Sequence, residues 1–224
     1  METTRRAWLA ALAAAPMALG LAAAGPRQRR WEDIPPRELI RRARLPNVEL
    51  ITHEGRRVRF YDDLVRDKKV VVNFMYAHCE GICLPVTHNL VKVQRLLGDR
   101  VGRDLFFYSI TLKPWQDSPA ALARYAEANG VGPGWQFLTG SRAACETLRR
   151  KLGFKDPDPR LDRDPRNHAG NVLYGNEPLM LWAACPGQAD PAWIELSIRA
   201  QVDRPVSPAT SGITSSAKRS ISSS

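Results

Sequence analysis

The stretch Lys69-Val70-Val71-Val72-Asn73-Phe74-Met75-Tyr76-Ala77-His78-Cys79-Glu80-Gly81-Ile82-Cys83-Leu84-Pro85-Val86 decides how this chain folds. Its first eight residues are almost continuously apolar, as a strand covered on both faces must be. From Val86 onward the period changes. Val86, Leu90, Val93 and Leu97 recur at i, i+4, i+7 and i+11, the apolar stripe of an amphipathic helix. A buried strand therefore runs into a helix, and Cys79 and Cys83 stand at the join.

Strand and helix signals alternate on either side of that unit. Upstream, Val48–Thr52 and Val58–Phe60 flank His53-Glu54-Gly55-Arg56 and predict a hairpin. Downstream, Leu105–Ile110 is a second buried strand. Ser118 offers a helix cap with Pro119 at the first helical position, and Asn129-Gly130 closes that helix. Trp135–Leu138 is a third strand, and Ser141 caps a helix ending at Gly153. Residues 155–167, rich in Pro and Asp, predict a long loop. Val172–Tyr174 and Leu179–Trp182 bracket Gly175-Asn176-Glu177-Pro178 as a second hairpin, and Asp190-Pro191 starts a last helix with Ile194 and Ile198 inward. The order ββ-β-α-β-α-β-α-ββ-α resembles the thioredoxin pattern. It predicts an α/β fold with a mixed central sheet flanked by helices and an N-terminal hairpin extension.

The 224 residues hold one domain with extensions. Four cysteines are too few for a disulfide-built scaffold, and no repeat of solenoid length runs along the chain. The 33 Lys+Arg against 23 Asp+Glu give a net charge of +10. The arginines are scattered over predicted helices rather than interleaved with aromatics, which argues against nucleic acid. Arg5-Arg6 followed by the uncharged, alanine-rich run Ala7–Gly25, closing on Ala22-Ala23-Ala24, predicts residues 1–24 as a twin-arginine-type export signal or a membrane anchor. Alanine gives little drive to stay in a bilayer, and Arg27, Arg29 and Arg30 beyond the run oppose an anchored orientation. Both readings put the domain outside the cytoplasm, in the periplasm or held at the membrane through residues 7–25. Residues 25–44 predict a linker or surface arm, residues 45–203 the domain, and residues 204–224 a disordered Ser-rich tail.

Cys79 and Cys83 lie where a helix start stabilises a thiolate. Their spacing lets them close a disulfide or grip one soft metal ion; inert buried thiols or a permanent disulfide are the plainer outcomes. Of the four histidines, His53 falls in a predicted turn. His78 points away from Cys79 in an extended segment, and His88 lies along the new helix. His168 precedes the second hairpin, and in a thioredoxin-like fold that segment approaches the cysteines. Two sulfurs and an imidazole suit copper, Cu(I) through the sulfurs and Cu(II) with the ring nitrogen. Zinc tolerates the same set, although a structural zinc site calls for a fourth ligand.

The ordered set Asn73-Phe74-Met75-Tyr76, Cys79-x-x-x-Cys83, Ser109–Pro114, Asp117-Ser118-Pro119, Tyr125-Ala126, Trp135–Gly140 and a late His resembles the Sco/SenC family of copper-binding thioredoxin-like proteins. The likeness covers roughly residues 45–200. It implies a copper site of Cys79, Cys83 and His168. It also implies a part in assembling the copper centre of a cytochrome-oxidase-type respiratory enzyme, whose copper-bearing subunit would be the partner. Some members look more like thiol-disulfide oxidoreductases that keep a target's cysteines reduced, which makes Cys79 and Cys83 a catalytic pair. The chain departs from the family pattern at Glu80 and Leu84, where Pro is usual, at Lys113, where Asp is common, and at Asn167, where an acid often precedes the His. Cys145 shares a helical face with Leu148 and Leu152 and predicts a core thiol, and Cys185 ends a strand. A Cys145–Cys185 disulfide would be compatible with export.

Overall fold

The computed structural model describes residues 34–79, 81–163 and 170–205. The predicted export segment, most of the arm, His168 and nearly all of the tail lie outside these residues. The chain divides into two units, Met1–Pro36 and Arg37–Ser224, and everything below concerns the second.

A seven-stranded mixed sheet carries the fold. Its strands are β1 (Glu49–Thr52), β2 (Arg57–Arg59), β3 (Lys69–Met75), β4 (Leu105–Thr111), β5 (Trp135–Gly140), β6 (Asn171–Asn176) and β7 (Leu181–Pro186). They lie in the order β2-β1-β5-β4-β3-β6-β7. β3, β4 and β5 run parallel, with Val71 opposite Phe107 and Ser109 opposite Phe137. β6 runs antiparallel to β3, and the β1–β2 hairpin adds antiparallel to β5. This is the thioredoxin-like α/β sheet with its N-terminal hairpin extension.

β3 shows why the apolar run is continuous. Val71 and Met75 face one core with Val86, Leu90 and Val93 of α2 (Cys83–Leu97), Leu122 of α3 (Pro119–Ala128), and Ile194 and Ile198 of α6 (Pro191–Val202). Val70, Val72 and Phe74 face the other core with Phe60, Leu64 and Leu148, the last from α4 (Arg142–Lys151). Both faces are covered, so alternation cannot leave a polar row. The one polar exception, Asn73, is bonded across the sheet through its carbonyl oxygen alone, its buried Nδ2 having no partner among the described residues. Trp135 Nε1 donates to Ser109 Oγ at 2.8 Å, and Ser109 Oγ donates to Asn73 Oδ1 at 2.7 Å.

The helix caps follow the sequence. Ser118, Ser141 and Asp190 each accept a backbone N–H of the turn they open, and Pro119 and Pro191 occupy first helical positions. Four local features differ from the expectation. Within the arm, α1 (Pro36–Arg44) buries no residue. It is held by Arg41 and Arg42 pairing with Glu38 and by Arg41 stacked 4.2 Å over the Tyr61 ring. Phe60–Val65 form a π-helical turn rather than the end of a strand. The long polar loop contains a short helix, α5 (Pro159–Arg163), where Asp162 receives a bidentate Arg149.

The second hairpin, finally, turns two residues later than expected, because Glu177 is buried at its tip. Its carboxylate accepts Tyr61 Oη at 3.1 Å and the Asp67 N–H at 3.0 Å. A buried carboxylate needs such donors, and only the hairpin end brings Glu177 to them.

Candidate functional site

The site grows out of the end of β3. Phe74 and Met75 finish the strand, Tyr76 remains buried, and the chain turns through Ala77 and an exposed His78 to a half-buried Cys79. Cys83 is the first residue of α2, is buried, and follows Ile82 at the helix cap. Both cysteines are free thiols, so the pair stands in its dithiol form.

Their surroundings split them. Burial pushes the Cys79 thiol up. Donation from the Cys83 thiol, from the backbone N–H groups of Cys83 and Gly81 and from Tyr76 outweighs burial and brings its pKa below the ordinary value. The helix start thus serves Cys79, the residue before the helix, by aiming its N–H groups at that sulfur. Cys83 goes the other way. Burial raises it first, and its hydrogen bond to Cys79 and the negative charges of Cys79 and Asp117 hold its proton on. The half-buried Cys79 is thus biased toward the thiolate and the buried Cys83 toward the protonated thiol.

Asp117 supports this turn from below. It is buried, with Oδ2 accepting the Ala77 N–H at 3.1 Å and the Thr111 hydroxyl at 2.5 Å. Its Oδ1 has no partner among the described residues. Thr111 Oγ1 in turn accepts the Lys113 N–H at 2.9 Å. Tyr125 closes the far side, its hydroxyl 2.9 Å from Thr87 Oγ1. In the sequence Asp117 and Tyr76 stood out only within the family-like set of residues, with no role assigned to either.

The histidines separate as well. His53 closes the β1–β5 ladder, its Nδ1 accepting the Phe137 N–H at 3.1 Å. Exposed His88 contacts Asn129 at 3.1 Å. Among the described residues no third His, Cys, Asp or Glu joins the two sulfurs. The first described residue after His168 lies against the start of α2. Gly170 packs on Ile82 and Val86, and its carbonyl accepts the Gly187 N–H at 2.6 Å. Asn89 of α2 ties Gly187 down by donating to its carbonyl at 3.1 Å. Cys145 and Cys185 belong to opposite cores, on the two faces of the sheet, and both are buried free thiols. A bond between them would need their Cα atoms within about 7 Å, which the intervening sheet forbids.

The fold is shared with solved Sco structures. Yeast Sco1 with copper bound aligns over 70% of this chain and 91% of its own, at 20% identity and a TM-score of 0.57. Arabidopsis thaliana ScoI with copper bound aligns over 69% and 95%, at 18% identity and a TM-score of 0.55. BsSco, described as a member of the Sco family of cytochrome c oxidase assembly proteins with a disulfide switch, aligns over 68% and 90%, at 20% identity and a TM-score of 0.56. At these identities the likeness is one of fold. No curated protein sequence matches this chain. The SCO1/SenC family model matches residues 43–174, more than half of the chain and the whole of the β3–Cys79–Cys83–α2 unit. With the strand-to-helix dithiol, the buried Asp117 beneath it and that match in place, this chain belongs to the SCO1/SenC family.

Proposed function

We propose that this protein binds copper through Cys79, Cys83 and His168 and delivers it as cargo during assembly of a respiratory copper centre of the cytochrome oxidase type. The observation that carries the reading is the return of Gly170 onto Ile82, the residue before Cys83. His168 is two residues upstream of Gly170, and two residues of chain reach at most about 7 Å. The donor set fits the metal. One sulfur is already biased to the thiolate, the second is adjacent, and soft sulfur with imidazole suits copper in both oxidation states. The copper-bound state of two structural neighbours and the oxidase-assembly role stated for a third support the same reading.

The domain plan completes it. Residues 1–24 would export the chain or anchor it at the membrane. Residues 25–44 would space the domain from that segment, 45–203 would form the domain, and 204–224 would trail as a tail. Among the described residues no helix is long and apolar enough to cross a membrane.

A second reading is favoured by a separate observation. The opposed shifts of Cys79 and Cys83 are those of an attacking and a resolving thiol, which suits thiol-disulfide exchange with a target's cysteines. Metal analysis of the reduced protein separates the two. Stoichiometric copper that is lost in the Cys79→Ser and Cys83→Ser variants supports the carrier. Copper-free protein that still reduces a disulfide supports the exchanger.

A further inference from the structure

The loop from Leu112 to Ser118 runs beside the cysteine turn. The Leu112 N–H donates to the Met75 carbonyl at 2.8 Å, and Asp117 holds the Ala77 N–H. Lys113 Nζ stands 3.7 Å from the centre of the Tyr76 ring, and Tyr76 is one of the donors to Cys79. Two residues further on, Trp115 is 60% exposed, an unusual position for a large aromatic. Arg142, which opens α4, lies 5.0 Å over its ring. Lys113, Pro114, Trp115, Arg142, Arg149 and Asp162 all line a groove of about 730 Å³.

The charges in this groove are unequal in their partners. Arg149 is neutralised by Glu146 and Asp162. Among the described residues, Lys113 and Arg142 have no carboxylate within ion-pair range and rest only on aromatic rings. Exposed tryptophan flanked by a free arginine is the residue pairing that anchors protein interfaces. Unpaired cations beside it select for negative charge.

We propose that this groove docks an acidic segment of the protein whose cysteines react at Cys79, with its carboxylates on Lys113 and Arg142 and an apolar side chain on Trp115. The proposal rests on Cys79 and Cys83 being the reacting pair, but the surface can be tested without them. In the exchange step the Cys79 thiolate attacks a disulfide sulfur of the segment, and the bond between the segment's cysteines breaks. The departing thiolate takes a proton from solvent. Cys83 then loses its proton to solvent and attacks Cys79, which releases the second thiolate to be protonated in turn. The protein ends oxidised and the segment reduced.

The probe is a synthetic two-cysteine peptide flanked by glutamates, compared with the same peptide flanked by lysines. With serine in place of the peptide cysteines and a dye attached, anisotropy on the full chain should give about tenfold tighter binding of the acidic form at low salt. That preference should vanish in the Lys113→Glu/Arg142→Glu double variant, and Trp115→Ala should weaken the acidic form several-fold. With the oxidised cysteine peptides, exchange rates should follow the same order, while reduction of the small neutral hydroxyethyl disulfide stays unchanged in Arg142→Glu and Trp115→Ala. Equal binding of the two peptides, or a preference that survives charge reversal, overturns the groove. So does recovery of the wild type, but not the double variant, on phosphatidylglycerol vesicles together with equal peptide binding, since the patch would then serve a lipid surface. Failure of the wild type to reduce hydroxyethyl disulfide would instead count against the exchanging pair and leave the anisotropy result to decide the groove.

Discussion

Gly170 lies flat against Ile82: a Cβ built on the glycine would stand 2.3 Å from Ile82 Cδ1 and 2.9 Å from Cγ1. Its other neighbour, Gly187, is equally bare, and a Cβ there would meet the Gly170 carbonyl at 2.7 Å and Val86 Cγ1 at 2.8 Å. Two residues without side chains thus let the returning segment touch the helix that starts at Cys83. Substituting Gly170→Val should part these surfaces and lower Cu(II) affinity by about tenfold, or about 1.4 kcal/mol. Ile82→Ala in the same chain should recover much of the loss, because alanine lacks the Cδ1 and Cγ1 atoms that the valine would strike. Competition titration against a chelator reads both effects, and equal affinity in wild type and variant would remove the contact from the account.

The two thiols should titrate apart. Donors facing its sulfur hold Cys79 below the ordinary thiol value, and burial pushes Cys83 above it. Alkylation followed by peptide mass analysis should therefore label Cys79 at lower pH than Cys83. Cys83 should stay unlabelled until the solution is well alkaline. Tyr76→Phe removes one donor to the Cys79 sulfur, so its profile should move to higher pH. Identical profiles for both cysteines would contradict the asymmetry.

Asp117 accepts from two donors at once, the Ala77 N–H and the buried Thr111 hydroxyl. Asp117→Ala should cost about 3 kcal/mol, because both are left buried without an acceptor. Asp117→Asn keeps one acceptor oxygen and should cost less than half of that. Urea unfolding with an unchanged slope measures the loss. The alanine variant should also label faster at Cys79, since the turn loses its anchor. A midpoint within error of wild type would show that solvent reaches these groups.

The β3–α2 junction was legible because its periods are pure: an unbroken apolar strand, then Val86, Leu90, Val93 and Leu97 on one helix face. The caps at Ser118, Ser141 and Asp190 were legible because they depend on local chemistry alone. What escaped depends on distant partners. The second hairpin turns late because Glu177 must reach Tyr61 and Asp67, and no local pattern encodes that. α1 has no apolar stripe; it stands on charge pairs and on Arg37 donating to the carbonyl oxygens of Glu177 and Pro178. At the site, both cysteines were readable from their position, and their division into a low and a high thiol was not, since it follows from which sulfur the helix N–H groups face. Gly170 carried no signal except its missing side chain, and its meaning appears only when Ile82 is beside it. Cys145 and Cys185 looked like possible partners until the sheet was seen to stand between them.

The central claim is that the imidazole of His168 completes a copper site with Cys79 and Cys83. Electron paramagnetic resonance of the Cu(II)-loaded chain tests it most directly. The account predicts nitrogen hyperfine coupling in the wild type that disappears in His168→Ala, together with a large fall in Cu(II) affinity. A His168→Ala spectrum and affinity matching the wild type would contradict it.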